Sequence, residues 1–162
     1  MREKAGSGAD TVRFFADSML GSLARWMRTL GYDVEYSSSI DDKELVERAL
    51  EEHRIILTRD TLLVKRRRAR GRCLFITGDE VGAQLRQVAG IYGVSAGLAL
   101  TRCLRCNTLL EDIGKEAVED KVPPYVYSTQ ERFSACLRCG RVYWAGTHRD
   151  KMLDEIDRLL KG

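Results

Sequence analysis

Three aspartates each follow a short apolar run. Asp17 comes after Val12-Arg13-Phe14-Phe15-Ala16, Asp60 after Ile55-Ile56-Leu57-Thr58-Arg59, and Asp79 after Leu74-Phe75-Ile76-Thr77-Gly78. Aspartate is a favoured helix N-cap in such places, and capping accounts for any one of them taken singly. All three at strand ends imply more. Carboxylates gathered at one sheet edge repel each other unless a cation neutralises them, and Mg²⁺ or Mn²⁺ prefers such oxygen ligands. An ion on Asp17 and Asp60 would activate water against a phosphodiester, with no cysteine or serine nucleophile needed. Asp41 stands three residues before Glu44 with capping-box spacing, which leaves Asp42 free to face the same edge. His53 and His148 are the only histidines and give little basis for histidine acid–base chemistry.

The second constellation is Cys103-Leu104-Arg105-Cys106 with Cys136-Leu137-Arg138-Cys139-Gly140. Two C-x-x-C knuckles present two thiolates each and complete a tetrahedral S₄ site for a structural Zn²⁺. A thioredoxin-like role fits poorly, because each pair has a mate and neither opens a helix after a strand. Arg105, Arg138, Arg141, Tyr143 and Trp144 surround the knuckles. They offer phosphate contacts and stacking surfaces for RNA, or else the aromatics fill the small core of a ribbon. Cys73 lies in the apolar run Cys73-Leu74-Phe75-Ile76 and reads as a small buried hydrophobe.

These residues need a frame to hold them. From residue 12 to 90 the chain repeats a short apolar strand, a polar or acidic residue, and a segment with helical spacing, which predicts an α/β domain. Strands are expected at Val12–Ala16, Asp33–Tyr36, Arg54–Thr58 and Cys73–Thr77. A helical stripe carries Leu20, Leu23, Ala24, Met27 and Leu30, with Gly31 where a C-terminal cap belongs. Further helices are expected from about Asp42 to Glu52, from Leu62 through Lys65 and Arg66, and from Glu80 to Val88. Right-handed crossovers bring the C-terminal ends of parallel strands to one edge, where open α/β sheets bind ligands. After Gly90, Gly93 and Gly97 the texture changes, and a boundary is expected near residues 91–100. The chain is expected to divide into a flexible tail (1–11), an α/β domain (12–95), a ribbon (100–148) and a C-terminal helix (149–162). Pro123-Pro124 and a strand-like Tyr125-Val126-Tyr127 suggest a long hairpin in the ribbon.

The 162 residues carry a net charge of only +3, so overall charge selects no partner. Lys65, Arg66, Arg67, Arg68, Arg70 and Arg72 are nevertheless crowded together, as a solvated face or as an approach for an anionic partner such as RNA. The apolar runs fall far short of the roughly 18 residues of a membrane span. The charged N-terminus lacks the apolar stretch of a secretory signal, so a cytoplasmic location is expected.

The sequence resembles the Mut-seven C-terminal RNase family, a PIN-like domain joined to a zinc ribbon. The carriers are Phe15-Ala16-Asp17-Ser18-Met19-Leu20-Gly21, Leu23-Ala24-Arg25-Trp26-Met27-Arg28, Leu30-Gly31-Tyr32-Asp33, Asp42-Lys43-Glu44-Leu45 and Leu57-Thr58-Arg59-Asp60. Both cysteine pairs, Val122-Pro123-Pro124-Tyr125-Val126-Tyr127 and Gly140-Arg141-Val142-Tyr143-Trp144 complete them. The resemblance implies a PIN-like fold and ribonuclease activity with Mg²⁺ or Mn²⁺. It marks Asp17, Asp42 and Asp60 as the acidic site, with Arg59 and Arg25 as basic companions, whereas Asp79 is assigned from the strand pattern alone. The competing expectation is a non-catalytic RNA-binding adaptor with a degenerate acidic site, separated from the enzyme by metal-dependent turnover. A receiver-like phosphoacceptor fits badly, because Ser18 follows Asp17 where paired acids are required.

Overall fold

The computed structural model describes residues 12–94 and 98–162; the tail expected over 1–11 and Gly97 lie outside the described residues. Four short strands, β1 (Arg13–Ala16), β2 (Asp33–Tyr36), β3 (Ile55–Thr58) and β4 (Cys73–Phe75), form a parallel sheet in the order β2-β1-β3-β4. The alternation of side chains along a strand assigns the two faces. Phe14 and Leu57 point into one core, while Phe15 and Ile56 point into the other. Helices α1 (Gly21–Thr29) and α4 (Val81–Tyr92) cover the first face. Helices α2 (Asp42–Glu51) and α3 (Thr61–Lys65) cover the second.

Helix α1 follows from its sequence with little ambiguity. Leu20, Leu23, Ala24, Met27 and Leu30 are all buried, as their spacing requires. The helix ends in a Schellman turn, in which the Tyr32 N–H donates to the Met27 carbonyl and the Gly31 N–H to the Arg28 carbonyl, both at 3.0 Å. Gly31 takes φ +94°, and a Cβ there would lie 2.3 Å from the Leu98 carbonyl oxygen. At the start of α2 the Asp41 carboxylate accepts from the Glu44 N–H at 2.9 Å, so Asp41 is the cap.

Beyond residue 98, strands β5 (Glu111–Ile113), β6 (Phe133–Ala135) and β7 (Val142–Trp144) form an antiparallel sheet in that order. Its core is small: Val118, Val122 and Phe133, with Val126, Tyr127 and Trp144 packed against them. Helix α6 (Thr147–Lys161) returns to the first core through Ile156 and packs on α4.

Two expectations are corrected. Tyr125-Val126-Tyr127 is helical, inside α5 (Pro124–Thr129), because Pro124 at N1 has the φ a helix start needs and lacks an N–H that would go unpaired. The helix after Asp60 stops at Lys65, and Arg67–Ala69 forms a separate 3₁₀ turn, so the basic run is not one continuous helical face. Helix α4 also runs on to Tyr92. Among the described residues no helix is long and apolar enough to cross a membrane.

Candidate active site and metal centre

From β1 the chain crosses to β2 on one side, whereas β3 leads to β4 on the other. The strand order therefore reverses between β1 and β3, and the crevice at their C-terminal ends is where open α/β sheets accept ligands. Asp17 and Asp60 stand on its two sides. Thr58 joins them: its buried hydroxyl donates to Asp17 Oδ2 at 2.7 Å and accepts from the Asp60 N–H at 2.9 Å. The Asp17 N–H donates to the Leu57 carbonyl at 2.9 Å, which ties the end of β1 to β3.

Each carboxylate is also held from its own side. Asp17 Oδ1 accepts from Ser18 Oγ at 3.1 Å and from the Met19 N–H at 3.4 Å. Asp60 Oδ1 caps α3, accepting from the N–H groups of Leu62 at 2.7 Å and Leu63 at 3.3 Å. Among the described residues neither has a cationic side chain within 4.0 Å, although Asp17 is only 9% exposed. A carboxylate withdrawn from water without a counter-charge fits a bound cation. Two carboxylates suffice for Mg²⁺, which keeps most of its waters.

The other predicted acids are engaged elsewhere. Asp79 is almost fully exposed and pairs with Arg59 Nη2 at 2.6 Å, while Arg59 Nη1 donates to the Gly78 carbonyl. Asp42 pairs with Arg66 at 2.9 Å, and Arg68 with Glu47 at 3.3 Å. Arg66, Arg67 and Arg68 thus lie beside Lys43 and Val46 of α2, around a hollow of about 210 Å³. Arg25, on the exposed side of α1, lines a cleft shared with the second module.

The four predicted thiols do converge. Cys103, Cys106, Cys136 and Cys139 have all their Sγ atoms within 4.8 Å of one another, and form the only such ligand group of three or more among the described residues. Cys103 and Cys139 Sγ are 3.8 Å apart, which matches the edge of a tetrahedron with Zn–S bonds of about 2.3 Å. Both knuckles turn alike. Asn107 (φ 65°) and Gly140 (φ 72°) follow the second cysteine in the left-handed region, and their N–H groups donate to the carbonyls of Cys103 at 2.9 Å and Cys136 at 2.8 Å. Burial opposes ionisation of Cys103, but hydrogen bonds from Tyr143 and the knuckle N–H groups bring its thiol down to about 6. Burial, a hydrogen bond to Cys139 and the neighbouring Cys103 charge push Cys106 up to about 12. Four thiols crowded this closely lose all their protons only with a cation among them.

Tyr143 is thereby placed. Its hydroxyl donates to Cys103 Sγ at 3.2 Å and accepts from the Leu104 N–H at 3.3 Å, so it supports the thiol cluster. Trp144 packs partly into the ribbon core and partly lines the cleft. Arg141 lines the cleft as well, whereas Arg105 and Arg138 are exposed away from it.

Sequence reasoning missed the device that joins the first knuckle to the parallel sheet. Arg28, only 6% exposed, donates through Nε to the Val34 carbonyl at 2.8 Å and through Nη1 to the carbonyls of Leu104 at 3.0 Å and Arg105 at 3.2 Å. Asn107 accepts from the Val34 N–H at 2.9 Å and donates to Asp33 at 2.7 Å. Burial raises the Asp33 pKa, but hydrogen bonds from Arg54 and Asn107 and the charges of Arg54 and Arg102 bring it below its ordinary value. The only hint in the sequence was an asparagine directly after a C-x-x-C pair, at the position glycine fills in the other.

A family model described as the Mut7-C RNAse domain matches residues 12–156. No curated protein and no solved structure matches the chain.

Proposed function

The chain belongs to the Mut7-C RNAse domain family, and from that premise we propose that it is a ribonuclease with a PIN-like site, hydrolysing RNA at the crevice between Asp17 and Asp60. The observation that carries this reading is the Thr58 hydroxyl, which ties the Asp17 carboxylate to the Asp60 backbone N–H at the reversal point of the sheet, where neither aspartate has a cationic partner among the described residues. Asp17 and Asp60 would hold Mg²⁺ or Mn²⁺, which supplies an activated water and offsets the charge that builds on the phosphodiester.

The protein's own groups do the rest. Thr58 fixes Asp17, and the N–H groups at the start of α3 fix Asp60 Oδ1, so Oδ2 is the oxygen left for a ligand. Arg59, steered by Asp79 and the Gly78 carbonyl, stands next to Asp60 in the chain, where a guanidinium can take an RNA phosphate. Asp42 and Arg66 form a pair that a phosphate can open from the α2 side. The cysteine cluster holds a structural Zn²⁺, and the ribbon assists RNA binding. The reaction takes place in the cytoplasm.

RNA cleavage by the wild type, Asp17→Asn and Asp60→Asn, with and without added Mn²⁺ or Mg²⁺, tests the reading. Each amide keeps the shape and removes the charge, so cleavage is expected to vanish while the fold persists. Full activity in Asp60→Asn, or cleavage indifferent to the divalent ion, refutes it. RNA binding without turnover by the wild type would favour the adaptor.

A further inference from the structure

A second hollow lies away from the carboxylates. An open cleft of about 800 Å³ lies between α1, the ribbon sheet and the start of α6. Its arginines come from every side: Arg25 from α1, Arg132 before β6, Arg141 before β7 and Arg149 from α6. All four are exposed, and among the described residues none has a carboxylate within 4.0 Å. Arg102 also borders the cleft but is engaged by Asp33 at 3.8 Å and the Gly31 carbonyl at 3.1 Å. Asp112 is the only acid in the lining, and the half-buried ring of Trp144 gives it an aromatic wall.

From this arrangement we infer that the cleft is the anchor for a single RNA strand, distinct from the place where the strand is cut. Four unpaired guanidiniums facing one carboxylate call for a polyanion, and a bare anion would leave the indole unused. Alternating phosphates and flat bases use both. An acidic peptide supplies the charge without the stacking partner. The volume lies within the range of sites that enclose a drug-sized or nucleotide-sized ligand.

The anchor rests on the nuclease reading only for its purpose, and the fold sets its distance from the carboxylates. Arg25 is eight positions beyond Asp17, through a 3₁₀ turn (Ser18–Leu20) and into α1. At helical rises this is roughly 13 Å, or about four nucleotides at the stacked rise of ~3.4 Å. RNA held in the cleft would therefore reach the Asp17–Asp60 crevice about four nucleotides away.

The test separates anchoring from cleavage by using the zinc-loaded 162-residue Asp60→Asn chain without Mg²⁺ or Mn²⁺. A fluorescein-labelled single-stranded oligouridylate of about twelve nucleotides is titrated by anisotropy at several salt concentrations. Arg132→Ala with Arg149→Ala is expected to weaken binding by about tenfold per guanidinium at low salt. The slope of log K against log salt should shrink by about 1.4, at about 0.7 per phosphate contact. Lys65→Ala with Arg67→Ala should change both less. Both arginines in the cleft pair are exposed, and a melt matching the parent confirms that the fold is kept. Unchanged affinity and slope in that pair overturn the inference. Displacement of the RNA by polyglutamate at equal charge concentration overturns it in favour of an acidic protein partner. Loss of cleavage in the Asp17 and Asp60 variants with this binding intact leaves the anchor standing, and a wild type that binds here but never cleaves removes only the nuclease reading.

Discussion

Replacing Arg28 by methionine preserves much of the side chain's length and apolar stem while deleting three hydrogen bonds, to the carbonyls of Val34, Leu104 and Arg105. Hydrogen bonds from a charged donor contribute about 1.5–3 kcal/mol each, and a buried acceptor left bare costs about 1–3 kcal/mol. The gain from no longer burying a guanidinium, whose pKa burial lowers, offsets part of this. A net loss of about 3 kcal/mol is expected, near the low end for breaking a buried charged contact. In a chain of 162 residues that corresponds to a fall in Tm of about 6–12 °C. Two of the orphaned carbonyls belong to the knuckle spanning Cys103 and Cys106, so zinc should also leave faster. Thermal melts paired with zinc release into a chromogenic chelator measure both effects, and Arg28→Lys, which keeps the charge without the planar fork, should fall between. A melt within about 1 °C of wild type with unaltered zinc release would refute the idea that Arg28 links knuckle and sheet.

Cys136→Ser should abolish stoichiometric zinc in metal analysis while Cys73→Ser keeps it, because Cys73 packs against the α2 core far from the thiol group. Gly31→Ala should lower Tm by about 4 °C or more: the left-handed φ alone costs a Cβ about 1–2 kcal/mol, and the Leu98 carbonyl lies in its way. Asp33 is the acid-sensitive group. Its folded pKa is depressed, so the stability it contributes is present above its unfolded value of 3.8 and is lost as pH falls through the folded value. Urea unfolding across that acid range should show a shallower decline for Asp33→Asn than for wild type, and parallel curves would count against the assignment.

Local periodicity made much of this legible. The α1 stripe, the Gly31 cap, the Asp41 cap and the four thiols each rest on spacings of a few residues, and the structure reproduces them. Pairings between distant residues left no such trace. Nothing in the residues around Thr58 shows that its hydroxyl ties the Asp17 carboxylate to the Asp60 N–H. The Asp42–Arg66 and Arg59–Asp79 pairs join positions 24 and 20 residues apart. Arg132 and Arg149 stand alone in sequence and meet Arg25 only because the second module folds back over α1. Tyr125–Tyr127 misled because a three-residue alternation is too short to decide between strand and helix beside a proline.

The contact between Asn107 and Val34 has a further consequence. Strand β2 is one of the two outer strands of the parallel sheet, and an uncovered outer strand is a template on which another chain can add its own backbone. Here Val34 has its N–H taken by Asn107 and its carbonyl by Arg28, so at this position of the border side chains stand in for a further strand. One of those side chains, Asn107, follows directly on Cys106, a member of the thiol cluster. Distortion of that knuckle would disturb the cover and the thiol cluster together. The polar groups that Val34 turns outward are thus spent within the chain, and the knuckle that gathers two of the four thiols also supplies the amide that covers the edge.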